Sequence, residues 1–123
     1  MARILLVEDD TCLGMVLVDL LQSAHHEVCH ADNAVAGLNA FREQPADLVI
    51  TDMLTPEMDG VETIRRLRQY DPKLRIIATS DDGRAFARLY LCIAKQLGVN
   101  RTLAKPFTGE EFLNAVREVL EMP

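Results

Sequence analysis

Residues 4–21 read ILLVEDDTCLGMVLVDLL, and the hydropathy period changes partway along them. Ile4-Leu5-Leu6-Val7 is a continuous apolar run, the pattern of a strand buried on both faces. Leu13, Val16, Leu17, Leu20 and Leu21 then recur at i, i+3, i+4, i+7 and i+8, one apolar stripe along a helix. Between the two periods stand Glu8, Asp9 and Asp10, with Asp10 placed to cap the helix. The stretch is a strand, an acidic turn and a helix.

The same unit repeats along the chain. Residues 27–31 form a weaker strand candidate, followed by a helix over residues 34–42. Leu48-Val49-Ile50-Thr51 is a second fully apolar or β-branched strand. Pro56 and Gly60 punctuate the loop that follows, before a helix striped by Val61, Ile64 and Leu67. Residues 74–79 give the fourth strand, and Phe86, Leu89, Ile93 and Leu97 stripe a helix that Gly98 can end as a left-handed cap. The fifth strand, residues 101–104, is short because Pro106 cannot join a ladder. Phe112, Val116, Val119 and Leu120 mark a closing helix, with Thr108 and Glu111 spaced as a capping box. Strict alternation of strand and helix predicts an α/β fold, a parallel five-stranded sheet covered by helices on both faces.

Composition narrows the function. At 123 residues the chain is expected to be one domain, residues 1–123. Apolar residues make up 49% and charged residues 26%, so a packed core is affordable and disorder is excluded. Thirteen basic against nineteen acidic residues give a net charge of −6, which argues against direct nucleic-acid binding. No apolar run is long enough to span a membrane, and the first residues lack a cleavable signal pattern. Three cysteines, Cys12, Cys29 and Cys92, show no C-x-x-C spacing and read as reduced thiols, so a cytoplasmic location is expected.

In a doubly wound sheet the functional crevice lies at the carboxyl ends of the strands. Glu8 and Asp9 follow strand one, Asp52 strand three, Ser80 strand four and Lys105-Pro106 strand five. Taken singly, each residue is bland: a helix cap, a turn former, a loop hydroxyl, a surface lysine. Taken together, Glu8, Asp9 and Asp52 are like charges at one edge, which destabilises the fold unless a cation sits among them. Oxygen ligands of this kind suit a hard divalent ion, Mg²⁺ above all. A lysine and a small hydroxyl beside that ion make a site for a phosphoryl group. Asp52 is then the candidate nucleophile, forming an aspartyl phosphate, with Lys105 and Ser80 balancing the charge that develops.

Five ordered segments now show a resemblance: residues 4–10, residues 47–53, Pro56-Glu57-Met58-Asp59-Gly60, residues 76–80 and residues 103–107. Over its whole length the chain resembles the receiver domain of two-component response regulators. The resemblance implies a flavodoxin-like three-layer (βα)5 sandwich with strand order 2-1-3-4-5. It implies Asp52 as phosphoacceptor, Asp9 as direct Mg²⁺ ligand, Glu8 as the second acidic position and the backbone carbonyl of Leu54 as a further ligand. Ser80 matches the hydroxyl switch position, with Thr79 a rival one register away, and Lys105 matches the phosphate-binding lysine. A cis Lys105-Pro106 bond is also implied. So is a partner histidine kinase or histidine phosphotransfer protein, with the output partner and homodimerisation left open. As in its relatives, the only chemistry expected is gain and loss of its own phosphoryl group.

Four positions depart from the family pattern. Thr102 stands where a switching Tyr or Phe is common, and Asp81 follows Ser80 where Ala or Gly is favoured. Ser23-Ala24-His25-His26 replaces a usual capping Gly, and Ala34 replaces a common Gly before the second helix. His25, His26 and His30 are read as polar side chains facing solvent, and Met53 and Met58 as loop packing. Two other functions stay open. A docking module that works without phosphorylation is kept alive by Asp81 and Thr102. An Asp-nucleophile phosphohydrolase of the haloacid dehalogenase type is disfavoured, because Leu54 stands where its second Asp is needed.

Overall fold

The structure is a computed structural model, and it describes residues 1–53, 58–81 and 87–123. Among the described residues ten elements alternate: β1 (Arg3–Val7), α1 (Thr11–Ser23), β2 (Glu27–Ala31), α2 (Ala34–Glu43), β3 (Leu48–Asp52), α3 (Gly60–Tyr70), β4 (Arg75–Asp81), α4 (Ala87–Gln96), β5 (Arg101–Lys105) and α5 (Gly109–Leu120). The five strands form one parallel sheet in the order β2-β1-β3-β4-β5.

Strand alternation divides the core into two layers. Leu5, Val7, Val49, Ile76 and Ala78 point to one face, where Leu38, Phe41, Ile64, Leu67 and Ala94 of α2, α3 and α4 cover them. Ile4, Leu6, Leu48, Ile50, Ile77 and Leu103 point to the other, against Leu17 and Leu21 of α1 and Phe112, Ala115, Val116 and Val119 of α5. A strand covered on both sides needs apolar residues at successive positions, which is why Ile4 to Val7 shows no alternation.

The helix ends follow the predicted chemistry. The Asp10 carboxylate accepts from Leu13 N–H at 3.0 Å, and Thr108 and Glu111 form the expected capping box. Gly98 takes a left-handed φ of 84° after α4, with Gly98 N–H bonded to Lys95 O and Val99 N–H to Ala94 O. After α1 the corresponding left-handed residue is His25, at φ 69°, with His25 N–H on Gln22 O and His26 N–H on Leu21 O. Both are Schellman closures, but the one after α1 carries a Cβ in a conformation that favours glycine. The Lys105-Pro106 peptide is cis, as the resemblance implied.

Two sequence expectations are corrected. Val16 was placed on the buried stripe of α1, yet it is 55% exposed, because the narrow Gly14 and Leu17 turn toward the sheet instead. On α4 the expected stripe fails at Leu89, which is 55% exposed; Leu97 does pack on the core, but the fully buried residue is Ala94, with Tyr90 and Leu91 packed beside it. A small side chain at the closest point lets the helix sit down on the sheet, so that face wins over the more apolar one. Phe86 lies outside the described residues. The expected packing of Met53 holds: it lies in the loop just after β3 and is fully buried against the core, and Gly60 abuts it so closely that an added Cβ would lie 2.6 Å from Met53 Cα.

Candidate functional site

The strand ladders run one or two residues further than the apolar pattern. Asp52 pairs with Thr79, Ser80 with Ala104 and Asp81 with Lys105. Asp52, Ser80 and Lys105 therefore belong to their strands rather than to the loops after them, and the hydrogen-bonded sheet itself fixes their spacing. A site on strand ends is stiffer than one on loops.

Glu8 is buried and its polar atoms are all engaged. Its N–H donates to Ala31 O at 3.0 Å, Oε2 accepts from Asp10 N–H at 3.1 Å, and Oε1 accepts from Lys105 Nζ at 2.6 Å. Its carbonyl lies 2.9 Å from His30 Nε2. Lys105 Nζ also donates to Asp52 Oδ2 at 2.8 Å. The lysine thus bridges two buried carboxylates. Asp9 is the more open of the acidic residues, and one ligand oxygen from each of Glu8, Asp9 and Asp52 falls within 4.8 Å of the others.

The electrostatics follow from burial and pairing. Burial pushes the Glu8 carboxyl above its ordinary 4.5; hydrogen bonds from Lys105 and from Asp10 N–H pull it back only in part. For Lys105, burial works to lower the ammonium's pKa, but the hydrogen bonds to Asp52 and Glu8 outweigh it and leave it raised. Lys105 is therefore a fixed cation at neutral pH. One lysine cannot neutralise three carboxylates, and the excess negative charge is what a divalent cation would offset. The donor set, all carboxylate oxygen, fits Mg²⁺ rather than a softer metal.

Ser80 is fully buried, and its Oγ has no hydrogen-bond partner among the described residues. A buried hydroxyl left unsatisfied costs about 1–3 kcal/mol, so it is kept where a ligand can use it. Ser80 stands one residue beyond Thr79, which is level with Asp52, and so lies nearer the carboxyl edge. Leu54, expected to offer its backbone carbonyl, lies outside the described residues.

The remaining departures can be placed. Asp81 is half-buried at the end of β4, in register with Lys105. Thr102 is half-buried on β5, in register with Ala78. His26 is less of a surface group than its neighbours suggested, since its Nδ1 accepts from Ala2 N–H at 3.1 Å. His30 is exposed, as expected, yet its Nε2 reaches the site through the Glu8 carbonyl, a contact no motif signals because it depends on β2 lying beside the β1–α1 turn.

The response regulator receiver domain model matches residues 4–117. The chain belongs to this family of two-component signalling domains. This receiver is 35% identical over 121 residues to the response regulator receiver protein CpdR of Brucella abortus, covering 98% of each chain. It is 37% identical over 123 residues to part of the sensor kinase CckA of the same organism, matching 98% of this chain and 13% of the kinase. Among solved structures, the non-phosphorylated receiver domain of HemR from Leptospira biflexa superposes with a TM-score of 0.88 at 28% identity, covering all of this receiver and 97% of that chain. Relatives of this receiver are signalling regulators rather than metabolic enzymes, and no helix among the described residues is long and apolar enough to cross a membrane.

Proposed function

We propose that this receiver is a phosphorylation switch whose acceptor is Asp52. The observation that carries the reading is Lys105 Nζ at 2.8 Å from Asp52 Oδ2, inside a cluster with Glu8 and Asp9. The donor is a phosphohistidine on a kinase or phosphotransfer protein, a reading supported by the likeness to part of a sensor kinase. An oxygen of the Asp52 carboxylate attacks phosphorus, the P–N bond breaks, and its electron pair returns to the imidazole nitrogen, which gains a proton from solvent. Glu8, Asp9 and Asp52, with the Leu54 carbonyl, would hold Mg²⁺. When bound, the ion supplies positive charge against the phosphoryl oxygens.

This chain's own residues do the rest. Lys105 is already in place beside Asp52, so its charge costs no reorganisation when negative charge builds on the phosphoryl oxygens. Ser80 Oγ, lacking a partner, is free to donate to one of those oxygens. That new bond is the local event that changes the outer surface, because Ser80 sits where β4 leads toward α4. Phosphorylation then alters a docking surface for the output partner. With Thr102 in place of an aromatic ring, the readout does not rely on ring rotation at that position.

The test is to incubate the protein with acetyl phosphate and Mg²⁺ and weigh it intact. One added phosphoryl group is expected, absent in Asp52→Asn and absent with EDTA. Labelling that survives both would refute Asp52 as acceptor. No labelling from acetyl phosphate or from any phosphohistidine donor would favour the second reading, a docking module without phosphorylation, which Asp81 beside Lys105 motivates.

A further inference from the structure

The carbonyl of Glu8 belongs to the peptide unit that joins the two adjacent acidic residues, Glu8 and Asp9. His30 Nε2 lies 2.9 Å from it, and since a carbonyl only accepts, Nε2 carries the hydrogen. The Glu8 N–H is bonded to Ala31 O on the same strand, β2. The backbone of Glu8 is thus held at both ends from β2, once by main chain and once by a side chain. The Glu8–Asp9 peptide cannot rotate about its flanking torsions without breaking the imidazole contact. Rotation of that plane would swing Asp9, whose carboxylate completes the cluster with Glu8 and Asp52.

The imidazole in turn has a prepared place. Gly14, buried on the first turns of α1, faces the ring so closely that a Cβ there would stand 2.4 Å from His30 Cε1 and 2.7 Å from Nε2. A side chain at position 14 would therefore displace the His30 ring, which is otherwise open to solvent. Gly14 gives up helix propensity and forms a notch in which the ring lies with its Nε2–H aimed at the carbonyl. α1, β2 and the acidic turn meet at this one side chain.

We infer that His30, seated against Gly14, is a positioning residue that sets the orientation of the Glu8–Asp9 peptide and so the affinity of the acidic cluster for a divalent cation. The inference rests on the proposed cation site. Groups that orient metal ligands from behind change affinity by about 10- to 100-fold when removed. The effect at His30 lies at the low end, because it acts on backbone rather than on a ligand atom.

Mg²⁺ binding to the full chain is measured by calorimetry, alongside the melting temperature without Mg²⁺. His30→Ala is expected to weaken binding about tenfold. His30→Gln, whose side-chain amide N–H can reach the same carbonyl, restores most of it. Gly14→Ala keeps His30 but fills its place, and weakens binding to a similar extent although alanine favours the helix. Should His30→Ala fail to fold, Gly14→Ala and His30→Gln carry the test. If wild type binds Mg²⁺ and the variants bind within twofold of it, with only their melting temperatures changed, His30 is merely structural and the inference falls. If wild type itself does not bind Mg²⁺, the proposed cation site falls, and this inference with it.

Discussion

Lys105→Met keeps the apolar stem of the side chain and removes only the ammonium that bridges Glu8 and Asp52 at 2.6 and 2.8 Å. Two buried carboxylates are then left facing each other, with ligand oxygens within 4.8 Å. At an effective dielectric of ~20 their repulsion is about 3.5 kcal/mol. The protein can escape by protonating Glu8, whose carboxyl already lies above its ordinary 4.5 because it is buried. From 4.5, taking up a proton at pH 7 costs at most about 3.4 kcal/mol. The two routes cap the loss at about 3.5 kcal/mol, of the same order as the usual cost of about 3–5 kcal/mol for breaking a buried pair. For a chain this size that is a fall in melting temperature of roughly 10 °C. The sign of the pH dependence follows from the raised folded-state value of Glu8. Stability linked to such a carboxyl is complete below its unfolded pKa and is lost as pH rises through the folded one. At pH 5 the proton, counted from 4.5, costs at most about 0.7 kcal/mol, so the gap between variant and wild type narrows to under ~1 kcal/mol. The assay is urea unfolding of both proteins at pH 5 and pH 7 without divalent cations. A gap of equal size at the two pH values would refute the electrostatic account.

Other outcomes are expected at neighbouring positions. Asp9→Ala removes a partly solvated like charge, so the melting temperature without Mg²⁺ should stay level or rise by up to ~1 kcal/mol equivalent, while phosphorylation is lost; a fall of several degrees would make Asp9 structural. His25→Gly relieves the Cβ of a residue at φ 69° and should add about 1 kcal/mol in urea unfolding. A loss of stability there would mean that the imidazole contributes more than the backbone costs. Asp81→Ala should speed phosphorylation by acetyl phosphate about threefold at low ionic strength, the low end for one charge ~7 Å from the phosphoryl group. An unchanged or slower rate would show that Asp81 points away from the pocket.

Much of this was legible because a parallel sheet covered on both faces writes itself plainly in sequence. Ile4 to Val7 and Leu48 to Ile50 must all be apolar, so the strands stand out and their carboxyl ends can be counted to Glu8, Asp9, Asp52, Ser80 and Lys105. The helix faces were less legible. Val16 and Leu89 looked buried by spacing, but the surface that packs is chosen by fit, and Gly14 and Ala94 allow closer approach than larger neighbours do. The role of His30 was not legible at all. It depends on register between β1 and β2, where Leu6 stands opposite His30, and register is a property of two segments.

The two core layers also bear on why the acidic edge exists. Both faces of the sheet are closed by apolar side chains, while Glu8 and Asp52 are buried at its carboxyl edge. The mutual repulsion of Glu8, Asp9 and Asp52 there works against the fold. Lys105 offsets part of that repulsion, yet it lies between Glu8 and Asp52 and leaves Asp9 the more open of the three. Ser80 adds a second cost, a buried hydroxyl without a partner among the described residues. Two unfavourable features on adjacent strand ends share one remedy: a cation near the carboxylates and an anionic oxygen near Ser80 and Lys105. On the proposed function, a phosphoryl group bound with its metal would supply both, and the energy withheld from the unphosphorylated fold would then be what phosphorylation draws on to shift the surface around β4.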